Sequence, residues 1–460
     1  MPLVVQRSYD SKPKLAHIGA APHGLRTGWR TPLTCLALLC VGGCAGYVAR
    51  PLPDAPQWSS GIDAGSGPLT VDQVVSRALE FSPEVRLAVN DVQLAEARNY
   101  ADSLLPDPTL NLSTDHPGAA GYVPAFMVEL GYEVSALVER PAKKRAADAA
   151  LEEKQLALEW TRWQVANHAY ALYAQNVSLA RIEDETARMA AHQDAVASRM
   201  DGALERAEVT RDTAMLAQIR YRDRAQESGA LRLEHLKALQ ELDRLLGLRP
   251  GTRLPLATPP EPPDIPSHVI AQALAGLGQH RPDLLALRAG YDAQDERYRA
   301  ALLGQFPKLD IGVTRGRDTS AVYTAGLSVS VTLPLFNGNR GNIAIEKATR
   351  ESLHDEYVQR LDDAYAAVQG ITTGLGVLEA QLHVARASEF ALKTSLDKAR
   401  RAFQQGSLAL PALADIESQY LAQRIASAKL ASQVLQQHVE LCTLIGVSAI
   451  DHQPLQQALP

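Results

Sequence analysis

The chain has 460 residues, of which 46% are hydrophobic and 21% charged, with a formal net charge of −6. It is long enough for a large folded body. With a pI near 6.1, it gives no electrostatic reason to expect nucleic acid as a partner.

At the N-terminus, Arg26 and Arg30 precede a short apolar run, Leu33 to Val41, which closes on Gly42-Gly43-Cys44. The run is too short to span a bilayer as a finished helix. Basic residues, about ten apolar residues and then small residues form the layout of a secretory signal peptide, here residues 1–43. The cysteine directly behind them resembles a bacterial lipobox, which implies cleavage before Cys44 and acylation of its thiol and new amino group; the alternative is an ordinary signal peptide in which the cysteine stands by chance. Ala45 rather than Asp follows, as in lipoproteins sorted to the outer membrane. Residues 44–68 are then a lipid-anchored N-terminal segment, and the covalent lipid on Cys44 is the one expected prosthetic group. Cys35 and Cys40 leave with the signal, so the mature chain keeps Cys44 and Cys442 and has no internal disulfide.

Beyond the leader the chain matches itself at a constant shift of 199 residues. Pro83 falls on Pro282, Pro108 on Pro307, Tyr221 on Tyr420 and Gly247 on Gly446. One supersecondary unit has been duplicated. Repeat 1 covers 69–249 and repeat 2 covers 268–448, joined by a linker, 250–267, whose seven prolines predict an extended segment. Residues 449–460 form a tail.

Each repeat reads helix, strand, strand, long helix, long helix. In repeat 1, Thr70 caps a helical pattern, Pro83 opens a second helix at Ser82, and Pro106 and Pro108 stop it. Period-2 alternation then predicts strands at about 109–115 and 125–134, and in repeat 2 at about 308–315 and 325–336. Long helices are expected at about 142–201 and 203–246, and at about 342–405 and 411–445. The first is free of Pro and Gly over some sixty residues, which at about 1.5 Å per residue is a rod of roughly 90 Å. Gly370, Gly374 and Gly376 mark a place in the third where the helix bends or packs closely.

Each alternating segment is close to the length that crosses a bilayer as a tilted strand. Four strands cannot close a barrel, and an open sheet in lipid leaves backbone groups unpaired at its edges. Several chains must therefore share one barrel, and three chains would give twelve strands with room for a channel. Glu129 and Glu133 are easier to place in a wet lumen than against lipid. The competing reading is a soluble hairpin packed on the helices.

The chain resembles the TolC-like outer-membrane efflux proteins over about Leu69 to Gly446. The resemblance is carried by the duplication, the long breaker-free helices, PLFNG at 334–338, Phe403-x-x-Gly406 before the last helix, and the lipobox. LPLFNGNRGNI (333–343) is most similar to the heavy-metal branch, the CzcC and CusC type of subunit. In repeat 1, ALVERPAKKRAA (136–147) departs from the glycine-containing turn usual at that place. The resemblance implies a mainly α protein with a membrane β-barrel part. It forms a homotrimer whose twelve-stranded outer-membrane barrel continues into a periplasmic α-helical coiled-coil barrel. The implied partners are a periplasmic adaptor and an inner-membrane pump of the RND type, with outer-membrane lipid around the barrel. This subunit would then be a passive gated conduit, in a metal, drug or type I secretion exporter. A reading of another class, a periplasmic adaptor or structural coiled-coil lipoprotein, requires one helical hairpin; this chain has two, with strands between them.

By the same resemblance, Leu204, Ala207, Glu208 and Val209, with Phe403, Gly406, Ser407 and Leu408, form a tip that faces the adaptor. The alternative is that these are ordinary helix ends with Gly406 as a cap. Asp397 resembles the position that supplies aspartates to the periplasmic constriction. Arg400 stands where the family places a second acid, and its repeat-1 equivalent is Asp201, while Ser198 is equivalent to Asp397. The plain reading of Asp397 is a surface pair with Arg401 one turn on.

No catalytic chemistry is legible. After the leader no two histidines lie within four residues, and five methionines are too few for a thioether relay. Ser395-x-x-Lys398 sits inside a long helix without the companion motifs of a serine nucleophile. No enzyme activity, cofactor or bound metal is expected. Lipidation is the most accessible expectation to check: Cys44→Ser should leave a protein that incorporates no labelled palmitate, and equal labelling of wild type and variant would refute it.

Overall fold

The structure is a computed structural model that describes residues 46–59, 67–258 and 265–447. The signal segment with Cys44, residues 259–264 of the linker and the tail lie outside the described residues. Met1–Gln57 forms one unit and Trp58–Pro460 another. The described part of the first, 46–57, holds no helix or strand; every element below belongs to the second.

Repeat 1 opens with two short helices, α1 (Val71–Phe81) and α2 (Pro83–Ser103). Thr70 and Gln73 form a reciprocal capping box, in which the Gln73 side-chain oxygen accepts from the Thr70 N–H at 2.9 Å. Ser82 is fully buried and caps α2 through the Glu84 N–H at 3.2 Å. Pro83 takes the first helical position, where a missing N–H costs nothing. Leu69 is not helical; it forms an isolated parallel bridge with Leu256.

Strands β1 (Thr109–Asp115) and β2 (Ala125–Glu133) follow, then α3 (Ser135–Glu205) and α4 (Arg211–Leu245). Repeat 2 supplies α5 (Ser267–His280), α6 (Pro282–Leu303), β3 (Lys308–Arg317), β4 (Tyr323–Thr332), α7 (Arg340–Gln404) and α8 (Leu410–Ile445).

Several boundaries differ from the sequence reading. α3 begins at Ser135 rather than 142 and runs straight through Pro141. With 71 residues it is roughly 105 Å long. Nothing in 136–147 breaks it, because Pro141 removes only one N–H in the second turn. In repeat 2 the equivalent place holds two successive left-handed residues, Gly338 and Asn339 (φ +50° and +57°), and α7 starts just after them. β4 ends at Thr332 rather than 336: Pro334 cannot donate to a ladder, and the Leu335 N–H turns back to the Leu333 carbonyl at 2.9 Å. α4 begins at Arg211 rather than 203, since α3 continues to Glu205 and a five-residue turn intervenes.

The four strands form one antiparallel meander in the order β1-β2-β3-β4. Leu110 faces Leu130, whereas its equivalent Leu309 faces Val331 rather than Val329. This two-residue difference is even, so each side chain keeps its face.

The main core lies where α1 and the ends of α4 and α8 meet the middle of α3 and α7. Trp163, almost fully buried, donates its indole N–H to the Thr443 carbonyl at 3.2 Å. The Tyr173 hydroxyl lies 2.9 Å from the Leu69 carbonyl and 2.6 Å from that of Ala257, and so joins the long helix to the start of repeat 1 and to the linker behind it. Asp243 is buried, which pushes its carboxyl up; the Gly251 and Thr252 N–H groups at 2.8 and 3.2 Å oppose this. The first part of the proline segment is therefore a docked turn followed by the bridge at Leu256, not a free extended linker. Gly247 takes φ +64°, and a Cβ there would meet the Phe81 carbonyl at 2.9 Å. Cys442 is buried and its thiol is pushed up to about 12 by desolvation, so it is an inert core residue. Around Gly370, Gly374 and Gly376 there is open space, and α7 is continuous through them. They do not pack closely against any of the described residues.

Candidate functional site

The sheet has two chemically distinct faces. Register puts Leu110, Leu112, Phe126, Val128, Leu130, Tyr132, Ile311, Val313, Leu327, Val329 and Val331 on one of them. Asn111, Ser113, Asp115, Glu129, Glu133, Asp310, Thr314, Ser328 and Ser330 lie on the other. Much of the apolar face is exposed, which water does not tolerate over so large an area. The helices do not cover it, so the soluble-hairpin reading does not hold. Glu129 and Glu133 fall on the polar face as expected. Glu129 accepts from the Ser328 hydroxyl across the sheet. Glu133 accepts from Ser135 Oγ at 3.1 Å and lies 3.8 Å from Lys308 Nζ, at the end nearest the helices. β1 and β4 each leave one edge without a strand partner. Among the described residues no helix is long and apolar enough to cross a membrane.

At the far end of the rods, each repeat closes with the same turn. After α3, the Glu208 N–H reaches back to the Ala203 carbonyl and the Ala207 N–H to that of Leu204, both at 2.9 Å. After α7, Ser407 bonds Ala402 and Gly406 bonds Phe403 in the same way, also at 2.9 Å. The pivot residue is left-handed in both: Ala207 at φ +58° and Gly406 at φ +74°. Gly406 is thus a helix cap, whatever else it does. Phe403, Gly406, Ser407, Ala207 and Glu208 are exposed. Arg206 donates twice to Glu208, at 2.9 and 3.1 Å, which holds the Glu208 carboxyl below its usual range. Leu408 instead turns inward, against Leu396, Ala399 and Leu413. Leu204 and Val209 are half-buried.

The three gate candidates separate. Asp201 Oδ2 accepts from Gln218 Nε2 at 2.6 Å, across from α4. Arg400 donates to buried Glu417 on α8 at 3.1 and 3.0 Å, and His192 Nδ1 lies 3.8 Å from the other Glu417 oxygen. At the 199-residue offset Asp201 corresponds to Arg400 and Gln218 to Glu417. Both residues are therefore occupied in the same cross-hairpin bond. Asp397 is exposed, with no ion pair to Arg401 among the described residues. The sequence reading missed Gln218 and Glu417, although the duplication pairs them as visibly as it pairs 201 with 400. Among the described residues no group of three or more His, Cys, Asp or Glu is placed to hold a metal ion. Ser395 spends its hydroxyl on the Ala391 carbonyl of its own helix at 3.1 Å.

The left-handed pivots make a paired test. An L-residue there costs about 1 kcal/mol relative to glycine. Ala207→Gly should tighten its turn and Gly406→Ala loosen the other, each changing amide-exchange protection at the adjoining helix end about fivefold in opposite directions. Changes of the same sign would refute the strain assignment.

Residues 273–447 match the family described as outer membrane efflux protein. The cobalt-zinc-cadmium resistance protein CzcC of Cupriavidus metallidurans is 22% identical over 351 residues, which are 75% of this chain and 81% of the relative. The solved structure of the CmeC outer-membrane channel of Campylobacter jejuni superposes with a TM-score of 0.68 at 16% identity, over 87% of this chain and 94% of that one. A structure of CusC gives 0.63 at 17% identity, over 87% and 99%. The second repeat thus matches the outer membrane efflux protein family, and over most of its length the chain has the fold of these outer-membrane channels.

Proposed function

We propose that the chain is the outer-membrane channel subunit of a tripartite exporter, acting as a homotrimer and anchored additionally by lipid on Cys44. One observation carries the oligomer. Within the chain, α3 of repeat 1 packs against α6 of repeat 2, and β2 pairs with β3. On α6, Ala286 and Ala293 are 7% and 1% exposed against that neighbour. Their repeat-1 equivalents on α2 are Leu87 and Leu94, larger and yet 64% and 50% exposed. The converse holds on the other side: Ala146 of α3 is 4% exposed and its equivalent on α7, Ile345, is 64% exposed. Repeating the internal contact between copies covers both, setting α7 against α2 and β4 against β1 of the next chain. Three copies then close a twelve-stranded barrel whose polar face lines the lumen.

In that arrangement the hairpin turns form the periplasmic end. Phe403, Gly406, Ser407, Ala207 and Glu208 offer the surface for a periplasmic adaptor, which connects the channel to an inner-membrane pump of the RND type. Three copies of Asp397, uncommitted to any neighbour among the described residues, would converge toward the axis and favour cations. Likeness to a cobalt-zinc-cadmium resistance protein supports divalent heavy-metal cations as cargo. The chain itself supplies a conduit, with energy and selection coming from its partners.

The channel reading expects heat-resistant trimers in the outer-membrane fraction, and Leu94→Asp should reduce them to monomers. Trimers unaffected by that charge would remove the support from the repeat argument, and a soluble periplasmic monomer would end the reading altogether. For the tip and gate, Gly406→Asp should abolish cobalt, zinc or cadmium resistance without lowering trimer, while Asp397→Ala should lower cation selectivity or raise leak in single-channel recordings. Normal resistance, or unchanged conductance, would reject the respective role.

A further inference from the structure

Conduction uses the polar face of the sheet and leaves unexplained two arginines on the apolar one. Arg315 and Arg317 are two residues apart on β3, so both side chains leave the sheet on the same side, roughly 7 Å apart. Arg315 stands beside Val128 and Ala325, and Arg317 beside Phe126 and Tyr323. Toward the helices the same face carries only apolar residues, from Val313 and Leu327 to Val331. The arginines therefore mark the rim remote from the helices, next to the hairpin loops at 116–124 and 318–322.

Their surroundings are built rather than incidental. The Arg317 guanidinium lies over the Phe126 ring, 5.8 Å from its centre, and Phe126 meets Tyr323 edge-on at 6.4 Å. Arg317 Nη2 donates to the Pro124 carbonyl at 2.7 Å, while its Nε is buried without a partner. Arg315 is exposed, and no described acid pairs with it. The carboxylate adjacent in sequence, Asp318, is turned into the loop, where its Oδ1 accepts from the Ser320 and Val322 N–H groups at 2.8 and 2.9 Å. Two uncompensated positive charges thus border an apolar surface through an aromatic pair.

In a lipid-facing barrel this is the level of the outer-leaflet headgroups. Charge on that face is costly in hydrocarbon but stable at the boundary when an anion meets it. Guanidinium groups present paired donors that match phosphate oxygens. We propose that Arg315 and Arg317 bind the phosphate groups of a phosphorylated lipid of the outer leaflet, giving one site per subunit. Apolar β3 and β4 residues below them hold the acyl chains, and Phe126 and Tyr323 set the depth. The assignment rests on the outer-membrane channel reading.

The test titrates purified wild-type and Arg315→Gln/Arg317→Gln trimers with bacterial lipopolysaccharide and with its dephosphorylated form, counting retained lipid by native mass spectrometry. Loss of two near-surface charges should weaken binding of the phosphorylated lipid at least tenfold, and removing the phosphates should weaken binding to wild type as much. Equal retention by both proteins, each a heat-resistant trimer, would overturn the proposal. If the double variant yields no trimer, wild type retaining the dephosphorylated lipid undiminished would overturn it equally. Wild-type protein absent from the outer-membrane fraction would bring down the channel reading and this site together, whereas a normally inserted channel indifferent to lipid phosphate brings down this site alone.

Discussion

A backbone N–H or C=O left unpaired in hydrocarbon costs several kcal/mol, and a four-stranded sheet has two edges of them. This penalty, rather than any side-chain contact, sets the architecture. β2 and β3 meet in register although they come from different repeats, so the chain already contains the junction needed to satisfy an edge. The outer edges of β1 and β4 are the two halves of that junction separated. A duplicated unit of this kind has no natural terminus until it closes on itself, and lipid makes closure compulsory for the strands.

The helices inherit the consequence. α3 is the spine of the chain, touching α1, α2, α4, α6 and α8, and α6 carries buried alanines where α4 and α8 bring leucines and an isoleucine. Ala286 and Ala293 of α6 and Ala146 of α3 are buried inside the chain, while Leu87 and Leu94 on α2 and Ile345 on α7 hold the same positions on outward surfaces. A larger side chain on an outward face leaves more apolar area to cover, which argues for a thicker, more strongly driven contact between chains than within one. The core near Trp163 and Tyr173 then has a different task. It ties the short helices and the proline segment around the rods, and fixes where the rods pass from one another's support to that of the collar.

Most of this was legible in the sequence because it depends on period. Constant offset, breaker-free rods and two-residue alternation are one-dimensional signals, and the strand faces followed from them without error. What failed were boundaries set by local competition. Pro141 reads as a stop but sits where one lost hydrogen bond is outweighed by the rest of a 71-residue helix. Leu333 and Leu335 continue the apolar alternation yet fall beyond Pro334, which cannot pair. The proline segment reads as a linker, while its attachment through Asp243, Leu256 and Tyr173 depends on partners as distant in sequence as Leu69 and leaves no local pattern.

The tip shows how a duplicated scaffold acquires direction. Residues 201 and 218 in one hairpin, and 400 and 417 in the other, are the same structural pair. In repeat 1 an acid accepts from an amide; in repeat 2 a base donates to a buried acid that also faces His192. Both bonds brace a hairpin at the same height, so the geometry is conserved between the repeats while the charge is reversed. Six hairpins of near-identical shape would give a closed ring almost sixfold symmetry, and an axial ligand could then not distinguish one hairpin from the next. Exchanging the partners of the brace, and placing Asp397 opposite Ser198 in the alignment, reduces that to a threefold pattern of charge. With Arg400 bonded to Glu417 and Asp201 to Gln218, Asp397 is the one of the three gate candidates without such a bond among the described residues, and the exposed Lys398 and Arg401 lie beside it. In the proposed trimer, selectivity at this end would then fall to repeat 2, since Ser198 gives Asp397 no acidic counterpart in repeat 1.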